Sequence, residues 1–175
     1  MKELAYCHKC GTELESRKHE DRERYYCPEC SEIRYRNSVP VAGVFVVRGD
    51  EVLLIKRGNE PHKNEWSYPA GYLEFDEKPE EGAVRELKEE TSLTADQKEL
   101  ELVTTIHLEH PDKYVVGNAY TVSFDRTEGE IKAGSDAKDA EFLMVEEMRS
   151  KVSQIESPKI IEAAEEAIRT VNRQG

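Results

Sequence analysis

The chain has 175 residues, 35% of them charged and 37% hydrophobic, with a formal net charge of −12 from 25 basic and 37 acidic side chains. That length suits one domain, or one domain with a small appendage. No apolar run approaches the roughly 18 residues of a membrane span, and the opening MKELAYCHKC has no apolar signal core, so a cytoplasmic protein without membrane contact is expected. The charge is uneven: residues 1–36 hold 8 basic and 8 acidic side chains, and residues 37–175 hold 17 and 29. A protein that grips nucleic acid through its backbone needs a basic footprint. The totals show none, so no nucleic-acid partner is expected, whereas an acidic chain can still meet a phosphorylated substrate through divalent cations.

All four cysteines lie near the start, at Cys7, Cys10, Cys27 and Cys30, as two C-x2-C pairs 16 residues apart. The stretch between them, GTELESRKHEDRERYY, is too polar to form a core, so residues 1–36 read as a small module held by something other than apolar burial. The spacing is that of a four-thiolate zinc ribbon. A closed tetrahedral thiolate shell leaves no position for substrate, so a structural zinc is expected, with an iron centre on the same four ligands as the alternative. Gly11 follows the first pair, where left-handed backbone is often required, and Ser31 follows the second. Lys9, Arg17, Lys18, Arg22 and Arg24 are matched by as many acids, which favours a stabilising or dimerising appendage over nucleic-acid capture.

Residues 35–40 (YRNSVP) read as a connector, and residues 37–175 as the larger domain. VAGVFVV and VLLIK, joined by Arg48-Gly49-Asp50-Glu51, predict a hairpin. Residues 57–66 form a polar loop. Pro79 to about Thr91 predicts a helix with proline near its start. Segments 99–108 and 113–125 predict strands, 126–138 a loop, and AEFLMV a short strand. Ser157-Pro158 supplies the cap and first residue of a last helix running to about Arg173.

The stretch Gly71 to Leu93, GYLEFDEKPEEGAVRELKEETSL, carries the chemistry. At 100° per residue, Glu90 falls about 40° to one side of Glu86 and Glu89 about 60° to the other, beside an apolar stripe of Ala83, Leu87 and Val84. Acids spaced i,i+3 and i,i+4 repel one another, and a hard divalent cation with oxygen ligands, Mg²⁺ or Mn²⁺, removes that penalty. Arg85 and Glu77 can pair and pin the preceding loop to the helix.

This stretch resembles the signature of the Nudix hydrolases, G-x5-E-x7-R-E-U-x-E-E-x-G-U, with U a bulky aliphatic residue. Gly71, Glu77, Arg85, Glu86, Leu87, Glu89, Glu90 and Leu93 match eight of the nine defined positions, and Ser92 replaces the second glycine. WSYPAG resembles the approach to that box and VLLIKRG the strand before it. The ribbon followed by YRNSVPVAGVFVV is similar to family members that carry an N-terminal zinc ribbon. The resemblance implies an α/β/α sandwich around a mixed sheet, preceded by the ribbon. It further implies hydrolysis of a nucleoside diphosphate linked to another moiety. Glu86 and Glu90 would then hold Mg²⁺ or Mn²⁺, and Glu89 would bridge or orient water. A backbone carbonyl of Ala70 or Gly71 would add a ligand, and Glu77 would pair with Arg85. An additional loop acid is implied, with Asp139 preferred over Asp136 and Glu141. The glycine missing at Ser92 normally leaves the helix with positive φ, so serine there carries strain of about 1 kcal/mol.

For the substrate, NADH enzymes of the family carry S-Q-P-W-P-F-P soon after the box, and this chain does not. Pro111 lies 18 residues beyond Leu93, near the position where ADP-ribose enzymes often have a proline. The layout also looks like plant FAD/ADP-ribose pyrophosphatases, which favours ADP-ribose or FAD with release of AMP. Tyr72, Phe75 and Tyr114 are candidates for stacking on a base. A second reading is a nucleotide-sensing regulator without catalysis, whose ribbon binds a macromolecule. A homodimer is compatible with the resemblance.

Overall fold

The computed structural model describes residues 5–109 and 113–173. The chain divides into two compact units. One comprises the chain up to Val39 together with Glu109 and Tyr114; the other comprises Pro40–Leu108 and the residues from Val115 onward.

In the first unit, β1 (Glu15–His19), β2 (Arg22–Cys27) and β3 (Glu32–Arg34) form an antiparallel sheet in that order. Glu20 and Asp21 both take positive φ, 48° and 61°, which is the geometry of a two-residue hairpin turn matched to strand twist. Most side chains of β1 and β2 are exposed, while Cys7 and Cys27 are buried. Gly11 and Ser31, after the two cysteine pairs, both adopt positive φ, 74° and 54°. Serine therefore performs the turn that glycine performs at the first pair.

The second unit is entered at Pro40 within β4 (Val39–Arg48), which a tight turn with Gly49 at φ 60° joins to β5 (Glu51–Arg57). Next come β6 (Trp66–Ser67), β7 (Ala70–Tyr72), α1 (Pro79–Thr91), β8 (Thr94–Ala95), β9 (Glu101–Glu109) and β10 (Tyr114–Ser123). Then follow β11 (Thr127–Glu128), β12 (Ala137–Met144), α2 (Val145–Ser150) and α3 (Pro158–Asn172). The central sheet runs β12-β5-β4-β10-β9, with β6 beside β5 and β7 beside β4. Neighbouring β12, β5 and β4 are antiparallel. Gly117 lies against Val41 and Thr121 bonds Phe45, so β10 runs in the same direction as β4 and the sheet is mixed.

Both faces of β4 and β5 are covered, which explains their near-continuous apolar sequence. On one face Ala42, Val44, Val46 and Leu53 pack with Ala83 and Leu87 of α1 and with Leu93. On the other, Phe45, Val47, Val52 and Leu54 pack with Ile160, Ala164 and Ala167 of α3. The result is the three-layered sandwich expected. Ser157 caps α3 by accepting from the Lys159 N–H, with Pro158 at its start.

Three local features differ from the sequence expectation. β9 starts at Glu101 because Asp96 caps a single 3-10 turn over Gln97–Glu99. The loop beyond residue 126 contains β11, which pairs with β8. Helix α2 follows β12 directly. Pro111 lies outside the described residues. Among the described residues, no helix is long and apolar enough to cross a membrane.

Candidate active site

Helix α1 starts at Pro79 with Glu80 and Glu81 in its first turn, and Glu81 accepts from the Lys78 N–H at 3.1 Å; proline and acids are both favoured there. Its packed stripe consists of Gly82, Ala83, Leu87, Glu90 and Thr91. Glu90 thus lies inside the buried face, only 2% exposed, rather than at its edge. The side chain of Glu86 is 14% exposed and that of Glu89 49%. The three acids therefore form a gradient from core to solvent, in the angular order that helix geometry dictates.

Strand β7 provides the surface they lean on. The Ala70 N–H donates to Glu90 Oε2 at 2.9 Å. Gly71 lies directly beneath Glu86: a Cβ there would fall 2.1 Å from Oε1 and 2.2 Å from Cδ. Close approach, not turn formation, is what requires glycine at this position.

Arg85 organises the loop side. Its Nε and Nη2 donate to the two oxygens of Glu77, each at 2.8 Å. Nη1 meets Glu86 Oε1 at 2.5 Å, and Nη2 also reaches the Tyr72 carbonyl at 2.9 Å. The guanidinium holds the Glu77 carboxyl below its ordinary range, and Glu77 in turn raises the pKa of Arg85.

The loop leading into β12 is tied at both ends. Lys132 N–H and Gly134 N–H donate to the last carbonyls of α1, those of Thr91 (2.9 Å) and Glu90 (3.0 Å). At the other end Gly58 N–H donates to the Asp136 carbonyl at 2.6 Å, and any Cβ on Gly58 would clash with that oxygen. These ties aim Asp136 at the helix acids. Burial and then the Asp136 charge push Glu90 up to about 9. Burial also raises Glu86, opposed by Arg85 and reinforced by Glu89 and Asp136.

The loop acid whose charge acts on Glu90 and Glu86 is Asp136 rather than Asp139, the acid preferred from the sequence. Asp139 is exposed on β12, in register with Lys56, and its Oδ1 accepts the Ala140 N–H at 2.9 Å. Glu141 is also exposed. The register of β12 shifts between Ala137 and Asp139, and the tied loop before that shift delivers the acid. The sequence clue available was Gly58, directly after the β5 strand.

Ser92 ends α1 at φ 64°, as a glycine would, with its N–H on Lys88 O. Its Oγ donates to the Lys132 carbonyl at 3.2 Å, adding a tie to the acid loop that glycine lacks. Phe75 is wholly exposed between β7 and α1, Tyr72 is half exposed, and Tyr114 donates to Glu109 at 3.0 Å in the other unit. A cavity of about 540 Å³, lined by Arg48, Phe124 and Arg126 among others, lies toward the opposite end of β4 and β10 from Gly71.

The donor chemistry fits metal ions at two places. Glu86, Glu90 and Asp136 offer only oxygen, which suits Mg²⁺ or Mn²⁺, and a cation there would offset both the burial and the Asp136 charge that raise Glu90. In the other unit the four cysteine sulfurs lie within 4.8 Å of one another, the one such group among the described residues. Their separations include 3.5 Å for Cys10–Cys27 and Cys10–Cys30, and 4.0 Å for Cys7–Cys30. A zinc tetrahedron with bonds of about 2.3 Å has edges of about 3.8 Å. Burial would raise the Cys7 thiol, but the backbone of Lys9 and Cys10 and the Arg34 side chain outweigh it and bring it to about 6. Cys30 is pushed up to about 12, chiefly by Cys10. Four crowded sulfurs cannot all ionise without a cation, and a zinc ion held by them would supply one.

A family model described as the NUDIX domain matches residues 37–164. The chain belongs to the NUDIX domain family. Of its Nudix relatives, an ADP-ribose pyrophosphatase from Methanocaldococcus jannaschii is 41% identical over 108 residues, 61% of each chain. An NAD-capped RNA hydrolase, NudC, from Pseudomonas aeruginosa is 36% identical over 88 residues, 50% of this chain and 31% of that protein. The chain thus spans less than two thirds of either relative. A Nudix hydrolase from Nitrosomonas europaea superposes with a TM-score of 0.71 at 22% identity, over 97% of this chain and 93% of that one, which establishes the shared Nudix fold.

Proposed function

We propose that the protein hydrolyses the pyrophosphate bond of a nucleoside diphosphate linked to a second moiety, with ADP-ribose preferred over FAD, releasing AMP. In this reading residues 37–175 form the hydrolase and residues 1–36 a ribbon held by structural zinc, and the protein works in the cytoplasm, where thiols stay reduced. The observation that carries the proposal is Glu90, a buried carboxylate held by the Ala70 amide and faced by Asp136. Burying an acid among acids is costly, and it serves catalysis once a cation binds. The relative in Methanocaldococcus jannaschii supports ADP-ribose as the substrate.

Glu86 and Glu90 would hold Mg²⁺ or Mn²⁺, with a carbonyl of Ala70 or Gly71 as a further donor. The bound ions would neutralise the pyrophosphate and acidify water. Glu89, at the solvent edge, orients the attacking water, and Asp136 accepts its proton. The water oxygen joins one phosphorus as the bridging P–O bond breaks, and the leaving phosphate takes up a proton. Arg85 and Glu77 keep the β7–α1 loop in register and Glu86 in place.

The test is AMP release from ADP-ribose, FAD, NADH, NAD⁺ and NAD-capped RNA, each with Mg²⁺ or Mn²⁺, for the wild type and Glu90→Gln. Metal-dependent AMP formation, abolished in the variant, supports the proposal and ranks substrates. Tight ADP-ribose binding with no turnover of any substrate would overturn it in favour of a nucleotide-sensing regulator. Zinc analysis of the purified chain and of Cys27→Ser tests the ribbon: about one equivalent is expected in the first and none in the second.

A further inference from the structure

The neutral charge total of the ribbon hides a segregation that strand register creates. Directly opposed residues of an antiparallel pair project from the same face. The register Glu15↔Tyr26, Arg17↔Arg24, His19↔Arg22 and Tyr26↔Ile33 therefore puts Arg17, His19, Arg22, Arg24 and Tyr26 on one face, with Glu15 as the one acid among the paired positions. Tyr35, just past β3, joins that face, because the Arg24 guanidinium lies over its ring at 5.2 Å. Arg17 lies over Tyr26 at 3.6 Å. The opposite face carries Lys18, Glu23, Tyr25, Arg34 and Cys27, and so the cysteine cluster.

The cations on the two faces are treated differently. Away from the arginine face, Lys9 and Arg34 pair with Glu32, and Lys18 pairs with Asp21. Among the described residues Arg17, Arg22 and Arg24 make no ion pair, whereas buried Nε atoms without a hydrogen-bond partner occur on both faces, at Arg24 and at Arg34. The cross-strand pair Arg17↔Arg24 sets cation against cation, with Arg22 in the next pair on that face. Like charges directly opposed destabilise a sheet, and an anion lying across them removes that penalty. Tyr35 is 52% exposed beside them.

We propose that this face of the ribbon binds single-stranded nucleic acid, with Arg17, Arg22 and Arg24 on phosphates and Tyr35 stacking on a base. Interleaved arginine and tyrosine is the recognition chemistry of single strands, where a cationic track follows the backbone and aromatic rings take the bases. A duplex hides its base faces and offers Tyr35 nothing. The inference stands apart from the hydrolase reading, because no residue of the carboxylate site takes part.

The test is fluorescence anisotropy of labelled single-stranded RNA, single-stranded DNA and a duplex against the full, zinc-loaded chain at several salt concentrations. Three phosphate contacts on a single strand predict a log–log salt slope of about −2. Each of Arg17→Gln, Arg22→Gln and Arg24→Gln should make that slope shallower by about 0.7. Tyr35→Leu should weaken binding about tenfold while leaving the slope unchanged. Lys18→Gln, on the opposite face, should leave binding intact, and all five variants should hydrolyse ADP-ribose as wild type does if the hydrolase reading holds. Preference for RNA or for DNA supports the proposal equally and identifies the strand. Equal or tighter binding of the duplex, or of heparin with no effect of Tyr35→Leu, would overturn it, as would arginine variants that bind like wild type. Zinc content and melting temperature of each variant separate lost contacts from lost folding.

Discussion

Gly71→Ala tests the account of the carboxylate site most directly. The added methyl would sit 2.1 Å from Glu86 Oε1, 2.2 Å from Cδ and 2.5 Å from Oε2. Ordinary carbon contacts begin near 3.5 Å, so one partner must move by roughly 1 Å or more. The backbone at 71 cannot yield readily, since β7 pairs with β4 through Ala42↔Gly71 and Val41↔Tyr72, and Arg85 holds the Tyr72 carbonyl. Glu86 must therefore swing away from its place beside Glu90. A misplacement of about 1 Å at a reacting centre costs about 100-fold in rate, or about 2.7 kcal/mol of transition-state stabilisation. The clash falls on a side chain that is not fully buried, so the expected loss of stability is smaller, about 1 kcal/mol. The assay is steady-state AMP release from ADP-ribose with Mg²⁺, alongside thermal melting. A kcat within twofold of wild type in a folded Gly71→Ala protein would refute the reasoning, because it would mean that Glu86 does not act from the position described.

Asp136→Asn should lower kcat by at least tenfold, by removing a proton acceptor or ligand, whereas Asp139→Asn should stay within twofold; the same AMP assay decides. Glu77→Gln bears on pH. Arg85 holds the Glu77 carboxyl low, so the pair stabilises the fold above the ordinary carboxylate range, and that stability disappears as pH falls through the depressed folded pKa. Melting curves across the acid range should therefore fall less steeply for Glu77→Gln than for wild type, while at neutral pH the variant loses about 1–2 kcal/mol. Ser92→Gly should leave the melting temperature nearly unchanged, since relief of about 1 kcal/mol at positive φ is offset by loss of the Lys132 bond and by added chain entropy. Ser92→Ala keeps the strain without the bond and should melt lower than both.

Much of this was legible from the chain itself. The fixed spacing of Gly71, Glu77, Arg85 and the three glutamates determined both the helix and its pairing, because those contacts are local or nearly so. β4 and β5 were visible as apolar runs, and the cysteine spacing located the metal-sized cluster. Asp136 was not separable from Asp139, because the choice depends on long-range backbone ties to Gly58, Glu90 and Thr91. The depth of Glu90 in the packed stripe was likewise hidden, since a helical wheel gives angle but not the height of the opposing strand. The arginine face of the ribbon was invisible to a charge count, because pairing register alone decides which side each cation takes.

The segment after β5 has a further consequence. Arg57 N–H bonds the Glu65 carbonyl and Asn64 N–H bonds the Arg57 carbonyl, both at 2.9 Å, so the excursion is closed at its neck. Gly58, at that neck, is what reaches Asp136. Residues 59–63 beyond it are mostly exposed. Doubling the length of such an excursion costs only about 0.6 kcal/mol in closure entropy. The tip can therefore be lengthened or exchanged while the neck keeps its tie to the Asp136 backbone, which makes residues 59–63 a natural graft point in the fold.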